Sequence, residues 1–194
     1  MLREKLINYK IILASGSPRR QKFFSDLNLD FEIRLKEVEE VFPPELQASE
    51  ITDFLAILKA DAFEGALAPG EILVTSDTIV WHKGKALGKP KDYEDAFRIL
   101  ESLSGETHEV YTSVCFKTSE NFDVINDVTK VSFNVLTNDE IRYYLDQCRP
   151  YDKAGAYGIQ EWIGLIAVRK VEGSYANVMG LPVDKVYAYL SNLK

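Results

Sequence analysis

The chain holds few of the residues that most often announce chemistry. Two histidines and two cysteines stand among 194 residues, and neither kind is clustered. His82 and His108 lack the neighbours that would build a Ser-His-Asp set or a metal-ligating pair. Cys115 and Cys148 are far apart, with no Cys or His at metal spacing, which reads as two reduced thiols in a cytoplasmic protein. No apolar run approaches the roughly 18 residues of a membrane span. The opening "MLREKLINYK" has no long apolar stretch of the secretory kind. Positive charge is in deficit as well: 23 Lys and Arg face 30 Asp and Glu, for a net charge of −7. That balance argues against non-specific attraction to nucleic acid or to an anionic membrane. A Walker loop is missing too. Gly84-Lys85-Ala86-Leu87-Gly88-Lys89-Pro90 is one residue short, and Pro90 stands where the magnesium-holding hydroxyl belongs.

What is present is the composition of a globular protein, 46% apolar and 27% charged, without low-complexity tracts, repeats or a linker. Residues 1–194 read as one domain. The run Lys10–Ser15 reads as a strand covered on both faces, followed by a helix from Pro18 to about Leu27. A second strand is expected near Phe31–Leu35, then an exposed acidic loop broken by Pro43 and Pro44. A helix is expected from about Glu50 to Ala68, with Ile51, Phe54, Leu55, Leu58 and Ala62 as its apolar stripe. "EILVTSDTIV" reads as a buried strand that ends or bends at Ser76-Asp77. "WHKGKALGKPKD" reads as a hairpin turn and loop, and Asp92 or Tyr93 opens a helix to Leu103. Strands are expected near His108–Thr118 and Phe122–Val135. Thr137 and Glu140 have capping-box spacing for a helix to about Asp146. A strand over Gly164–Val171 and a helix from about Val183 complete the pattern. Strands alternate with helices around an antiparallel insertion, so the fold class is α/β with a mixed central sheet flanked by helices.

The informative stretch is "LASGSPRRQ". Ser17 has the character of an N-cap and Pro18 that of a first helical residue. The free N–H groups of such a turn bind anions, and Gly16 lets a ligand approach the backbone. Arg19 and Arg20 then stand where the helix dipole is already positive, each costing a few tenths of a kcal/mol to about 1 kcal/mol. A bound polyanion would reverse that sign; solvent exposure would merely screen it. Lys59 lies beside an apolar stripe, where it either snorkels or meets an anion. Asp77 interrupts a very apolar strand and is either a ligand-facing carboxylate or a turn residue for Thr78. Lys89 is fixed between Gly88 and Pro90, and Glu37, Glu39 and Glu40 crowd one loop. Arginines, lysines and carboxylates around a helix N-terminus suit a nucleoside triphosphate with Mg²⁺.

Six segments in order, "LASGSPRRQ", "SDTIV", "LGKPKD", "LSGETHEVYTSV", "DKAGAYGIQ" and "EGSYANVMGLP", closely resemble the Maf family of nucleotide pyrophosphatases. The resemblance implies a mixed-sheet α/β architecture of two lobes around a cleft, related to the ITPases, and a homodimer. It implies hydrolysis of nucleoside triphosphates between the α- and β-phosphates with a divalent metal, Mg or Mn. It places the catalytic carboxylate on Asp77, its lysines on Lys59 and Lys89, and the phosphate turn on Ser15, Ser17, Arg19 and Arg20. The metal would be held by Asp77 and the acidic-loop Glu40. Arg19, Thr78 and Gln160 match the branch acting on dTTP and UTP rather than the one acting on 7-methyl-GTP. Leu58, where relatives often carry Glu, and Arg149, where an acidic residue is common, depart from the pattern. A pool-cleaning enzyme for modified nucleotides and a non-catalytic nucleotide-binding regulator of cell division are the competing readings.

Overall fold

The computed structural model describes residues 2–193. Its helices are α1 (Leu2–Lys5), α2 (Pro18–Asp26), α3 (Ser49–Asp61), α4 (Tyr93–Leu103), α5 (Asn138–Cys148), α6 (Trp162–Ala167), α7 (Tyr175–Val178) and α8 (Val183–Ser191). Its strands are β1 (Lys10–Leu13), β2 (Phe31–Ile33), β3 (Glu71–His82), β4 (Lys85–Leu87), β5 (Thr107–Lys117), β6 (Phe122–Phe133) and β7 (Val168–Glu172). The strands form a seven-stranded mixed sheet in the order β2-β1-β3-β5-β6-β7, with β4 also paired to β3. β1 runs parallel to both β2 and β3, while β4 and β7 pair antiparallel. The α/β mixed-sheet class read from the sequence is the class observed.

Contacts divide the chain into two compact units, one holding residues up to 77, 112–127 and from 180 onward, the other residues 78–111 and 128–179. The first unit has apolar residues on both faces of its strands, and their parity sorts them. Ile12, Leu73 and Cys115 pack with Ala56, Ala60 and Phe63 on the α3 side. Ile11, Leu13, Ile72, Val74, Val114 and Phe116 pack with Phe24, Val186 and Leu190 on the other. This double coverage is why the strands read as continuous apolar runs rather than alternating ones. The second unit gathers Val80, Val110, Val131 and Phe133 under Leu100, Leu103, Ile141, Tyr144 and Leu145 of α4 and α5. The Asp92 carboxylate caps α4 by accepting from the Asp95 N–H at 2.8 Å. Thr137 and Glu140 form the expected capping box on α5, worth about 1 kcal/mol.

Three expectations are corrected. α3 stops at Asp61 instead of Ala68, because the chain tightens into i→i+3 turns: Phe63 N–H to Ala60 and Glu64 N–H to Asp61. β3 does not end at Ser76-Asp77 but continues as one strand to His82. The strand expected over Gly164–Val171 is helix as far as Ala167. There Ile163 and Ala167, four apart, are buried while Leu165 is exposed, a helical spacing hidden in a β-branched run.

Candidate active site

The turn Ser15-Gly16-Ser17-Pro18 leaves the sheet at the carboxyl end of a parallel strand, where open α/β sheets bind ligands. Pro18 opens α2, with its missing N–H where no intrahelical partner exists. Ser17 holds the N-cap position in extended conformation, yet its hydroxyl makes no capping bond. The turn is folded instead by Ser15, whose Oγ accepts from the Ser17 N–H at 3.3 Å, and by Gln21, whose Nε2 donates to the Ser15 carbonyl at 3.0 Å. The first N–H groups of α2 are therefore not capped by the Ser17 side chain.

The two arginines have different environments. Arg20 folds back, with Nε donating to the Gly180 carbonyl at 2.7 Å and Nη1 to the Ser76 carbonyl at 2.9 Å. Burial lowers the pKa of its guanidinium, Asp77 and Glu40 oppose that shift, and the neighbouring Arg19 adds to it. Arg20 thus braces α2 to the catalytic-candidate strand, a role its sequence position did not reveal. Arg19 is half-buried at the start of the same helix.

On β3 the strand parity aims Thr75 and Asp77 at α3. The Thr75 hydroxyl donates to the Ala56 carbonyl at 2.6 Å. Two residues on, Asp77 Oδ1 accepts from Lys59 Nζ at 2.6 Å, and the same ammonium lies 3.0 Å from Glu40 Oε1. Lys59 meets anions and does not snorkel. Asp77 is buried inside a continuing strand and is not a turn residue. Its neighbour Ser76 faces the other way, with a buried Oγ that has no hydrogen-bond partner. α3 is itself pinned: the Thr52 and Ser113 hydroxyls meet at 2.6 Å, and Asp53 accepts from Ser113 and from Asn126. Glu37, Glu39 and Glu40 are all solvent-exposed, and of the three it is Glu40 that reaches the lysine, at 3.0 Å. Among the described residues no group of three or more His, Cys, Asp or Glu side chains could hold a metal. Glu40 and Asp77 nevertheless converge on one cationic point, which the Lys59 ammonium marks.

In the second unit Thr78 is half-buried on β3, and Lys89 and Gln160 are exposed on loops. The Lys89 loop is tied down because the Gly88 carbonyl accepts from the Gly155 N–H at 3.1 Å. Gly155 has φ of +70°, and a side chain there would run into Val80, which is why glycine stands at that position. Gly158–Glu161 is a β-turn closed by the Glu161 N–H on the Gly158 carbonyl at 2.9 Å. The Tyr144 hydroxyl accepts from the Gly158 N–H at 3.0 Å and donates to Glu161 Oε2. Lys153, itself buried, joins Glu161 Oε1 at 3.0 Å to Asp152 at 2.7 Å. Sequence reading found in this loop a segment of the family resemblance, with Gln160 as its branch-matching residue, and missed that network. A lone lysine inside the small, apolar run "KAGAYGI" was the available clue. His108, one of the two histidines, donates to or accepts from the Tyr157 hydroxyl at 2.8 Å. Burial, with some help from His82, holds its pKa down at about 3, so it stays neutral.

The family model described as "Maf-like protein" matches residues 10–193. The chain belongs to the Maf family. Its Maf relatives include a protein of Flavobacterium johnsoniae named dTTP/UTP pyrophosphatase, 69% identical over 100% of both chains. A Flavobacterium psychrophilum protein of the same name is 64% identical over 99% of this chain and 98% of its own. One from Bacteroides thetaiotaomicron, again so named, is 49% identical over 97% and 98%. Among solved structures, the Staphylococcus aureus Ham1 protein shares the fold with a TM-score of 0.54 at 16% identity, over 95% of this Maf chain and 100% of its own. The structure thus brings Ser15, Ser17, Arg20, Glu40, Lys59 and Asp77 of this Maf chain into its first unit and leaves Thr78, Lys89 and Gln160 on the second. No helix among the described residues is long and apolar enough to cross a membrane.

Proposed function

We propose that this chain hydrolyses dTTP and UTP between the α- and β-phosphates, releasing the nucleoside monophosphate and pyrophosphate. The observation that carries the reading is the meeting of Lys59 with both Asp77 and Glu40 beside the open N-terminus of α2. The names carried by relatives 69% and 64% identical, over 100% and 98% of their length, support the same substrates.

In this reading the Ser15–Pro18 turn and the side chain of Arg19 receive phosphate oxygens, and Arg20 keeps the turn in register with β3. Asp77 takes the proton from the water that attacks the α-phosphorus. Lys59 and Lys89 neutralise the charge that builds on the departing pyrophosphate. The donor chemistry fits a divalent cation, because two hard oxygen ligands already share one positive centre. Glu40 and Asp77 would hold Mg²⁺ or Mn²⁺, and the ion when bound would supply Lewis-acid charge to phosphate oxygens. The Gln160 amide offers one donor and one acceptor, matching the O4 acceptor and N3–H donor that thymine and uracil share. Cytosine presents the reverse pattern. A cytoplasmic homodimer acting on free nucleotides, without nucleic acid or membrane, completes the reading.

The test is pyrophosphate release from dTTP, UTP, CTP, GTP, 7-methyl-GTP and ITP with Mg²⁺. Preferred release from dTTP and UTP is expected. Triphosphate binding without release would replace the enzyme by a sensor, and preference for ITP would make it a pool cleaner.

A further inference from the structure

We propose that Tyr144, Glu161 and Lys153 form a buried latch that fixes the base-reading turn, and so act as positioning residues for pyrimidine selection. The proposal rests on the reading above in which Gln160 meets the base.

Gln160 is exposed at the third position of the turn Gly158–Glu161. An exposed amide on an untethered loop samples many orientations and discriminates poorly between a donor-acceptor face and its reverse. Here the residues on both sides are anchored. Ile159, just before Gln160, is buried in the core of the second unit. Gly158 and Glu161, the two ends of the turn, are bound to one phenolic oxygen, that of Tyr144. That oxygen has no freedom of its own, since Tyr144 is fully buried on α5 and α5 is capped at its start. Lys153 then holds the second carboxylate oxygen of Glu161 from the opposite end of the loop. The glycine at 158 belongs to the same device: a Cβ there would lie 2.7 Å from the Glu161 carboxyl carbon and would displace the carboxylate from its place over the turn. Through Gly155 the loop is also tied to the backbone beside Lys89.

Setting a buried lysine and a buried phenol on a half-buried carboxylate is a poor way to gain stability, because desolvation offsets most of the attraction. Such groups do fix register, since each has few acceptable partners. The network is therefore best explained by the geometry of the residue it surrounds. Opening it frees Gln160 without removing any group that touches phosphate or water.

The experiment compares Tyr144→Phe, Glu161→Gln and Gln160→Ala in the full chain, with kcat and KM for UTP, dTTP and CTP and a thermal melt for each. Tyr144→Phe removes one oxygen and keeps the ring. It is expected to raise KM for UTP about tenfold and to cut UTP-over-CTP preference about tenfold, with kcat within about threefold of wild type. Glu161→Gln keeps an acceptor for Tyr144 but turns its amide N–H groups toward the Lys153 ammonium, so it is expected to lose part of the preference, less than Tyr144→Phe. Unaltered KM and preference in Tyr144→Phe, beside a Gln160→Ala variant that loses both, would overturn the latch and leave the base reading standing. Unaltered preference in Gln160→Ala would overturn the base reading and the latch with it. Should Tyr144→Phe fail to fold, Glu161→Ala, half-buried at the turn itself, carries the same two outcomes.

Discussion

The two units place charge in opposite ways. In the first, the candidate residues set opposite charges against each other: one ammonium lies between two carboxylates, and a guanidinium is braced on the Gly180 and Ser76 carbonyls. In the second, the buried polar groups around the candidate loop are phenols and a neutral imidazole, with a single internal ion pair behind them. Burial pushes the Tyr144 and Tyr157 phenols above the ordinary tyrosine range, so both remain protonated. Charge that must respond to phosphate and metal is kept within reach of ligands. A face that must distinguish one uncharged ring from another is held by a phenol bonded to a carboxylate whose charge a buried lysine meets, behind the ligand-facing side chain.

The sharpest test of that division is Asp77→Asn. It is expected to lower kcat roughly 10²–10⁴-fold while leaving nucleotide binding in place; retention of most turnover, measured as pyrophosphate release, would break the comparison outright. Next comes Lys59→Met, with a loss of roughly 10²–10³-fold in kcat. The same variant is expected to bind Mn²⁺ more tightly without nucleotide, because Asp77 and Glu40 lose their shared counter-charge. Electron paramagnetic resonance of free Mn²⁺ reads this directly, and weaker binding would show that Lys59 is no stand-in for the metal. The latch variants of the second unit follow, about tenfold and confined to KM and base preference.

The smallest effect is in acid stability. Burial holds His108 near 3, below the ordinary value near 6.5 of an unfolded chain. The unfolded state therefore takes up a proton first, and stability falls as pH drops from 6.5 towards 3. The hydrogen bonds from Arg34 hold Glu71 at about 2. Its contribution is complete above about 4.5, the usual glutamate region, and is lost on the way down to 2. Hydrogen exchange followed by pH is expected to show the second unit loosening at milder acidity than the first. His108→Gln should flatten the loss between 6.5 and 3, and Glu71→Gln only that between 4.5 and 2.

Much of the first unit was legible because its chemistry is local. The turn after β1 announces itself by Ser, Gly and Pro, and the apolar runs of β1 and β3 announce a doubly covered sheet. Lys59 was conspicuous beside an apolar stripe, although only the fold could say that an anion waits for it. The end of β3 was misread because Asp77 looks like punctuation, whereas its partner lies 18 residues back on α3. The network behind Gln160 was illegible for a similar reason: Tyr144 belongs to one helix and Lys153 to a loop, and an ordinary amphipathic pattern gives no sign that a buried phenol is used. Arg20 is the extreme case, its acceptor at Gly180 lying 160 residues downstream.

That separation has a consequence for the order of events during synthesis. Residues up to 77, which hold the phosphate turn, Lys59 and Asp77, leave the ribosome long before the segment that accepts from Arg20 exists. At about 5–20 residues per second, the delay between Arg20 and Gly180 is roughly 8–32 s. Throughout that interval the guanidinium lacks one of its two carbonyls, and α8 is not yet present to cover its side of β1 and β3. A nascent chain therefore carries its catalytic candidates for that interval without the Gly180 end of the brace.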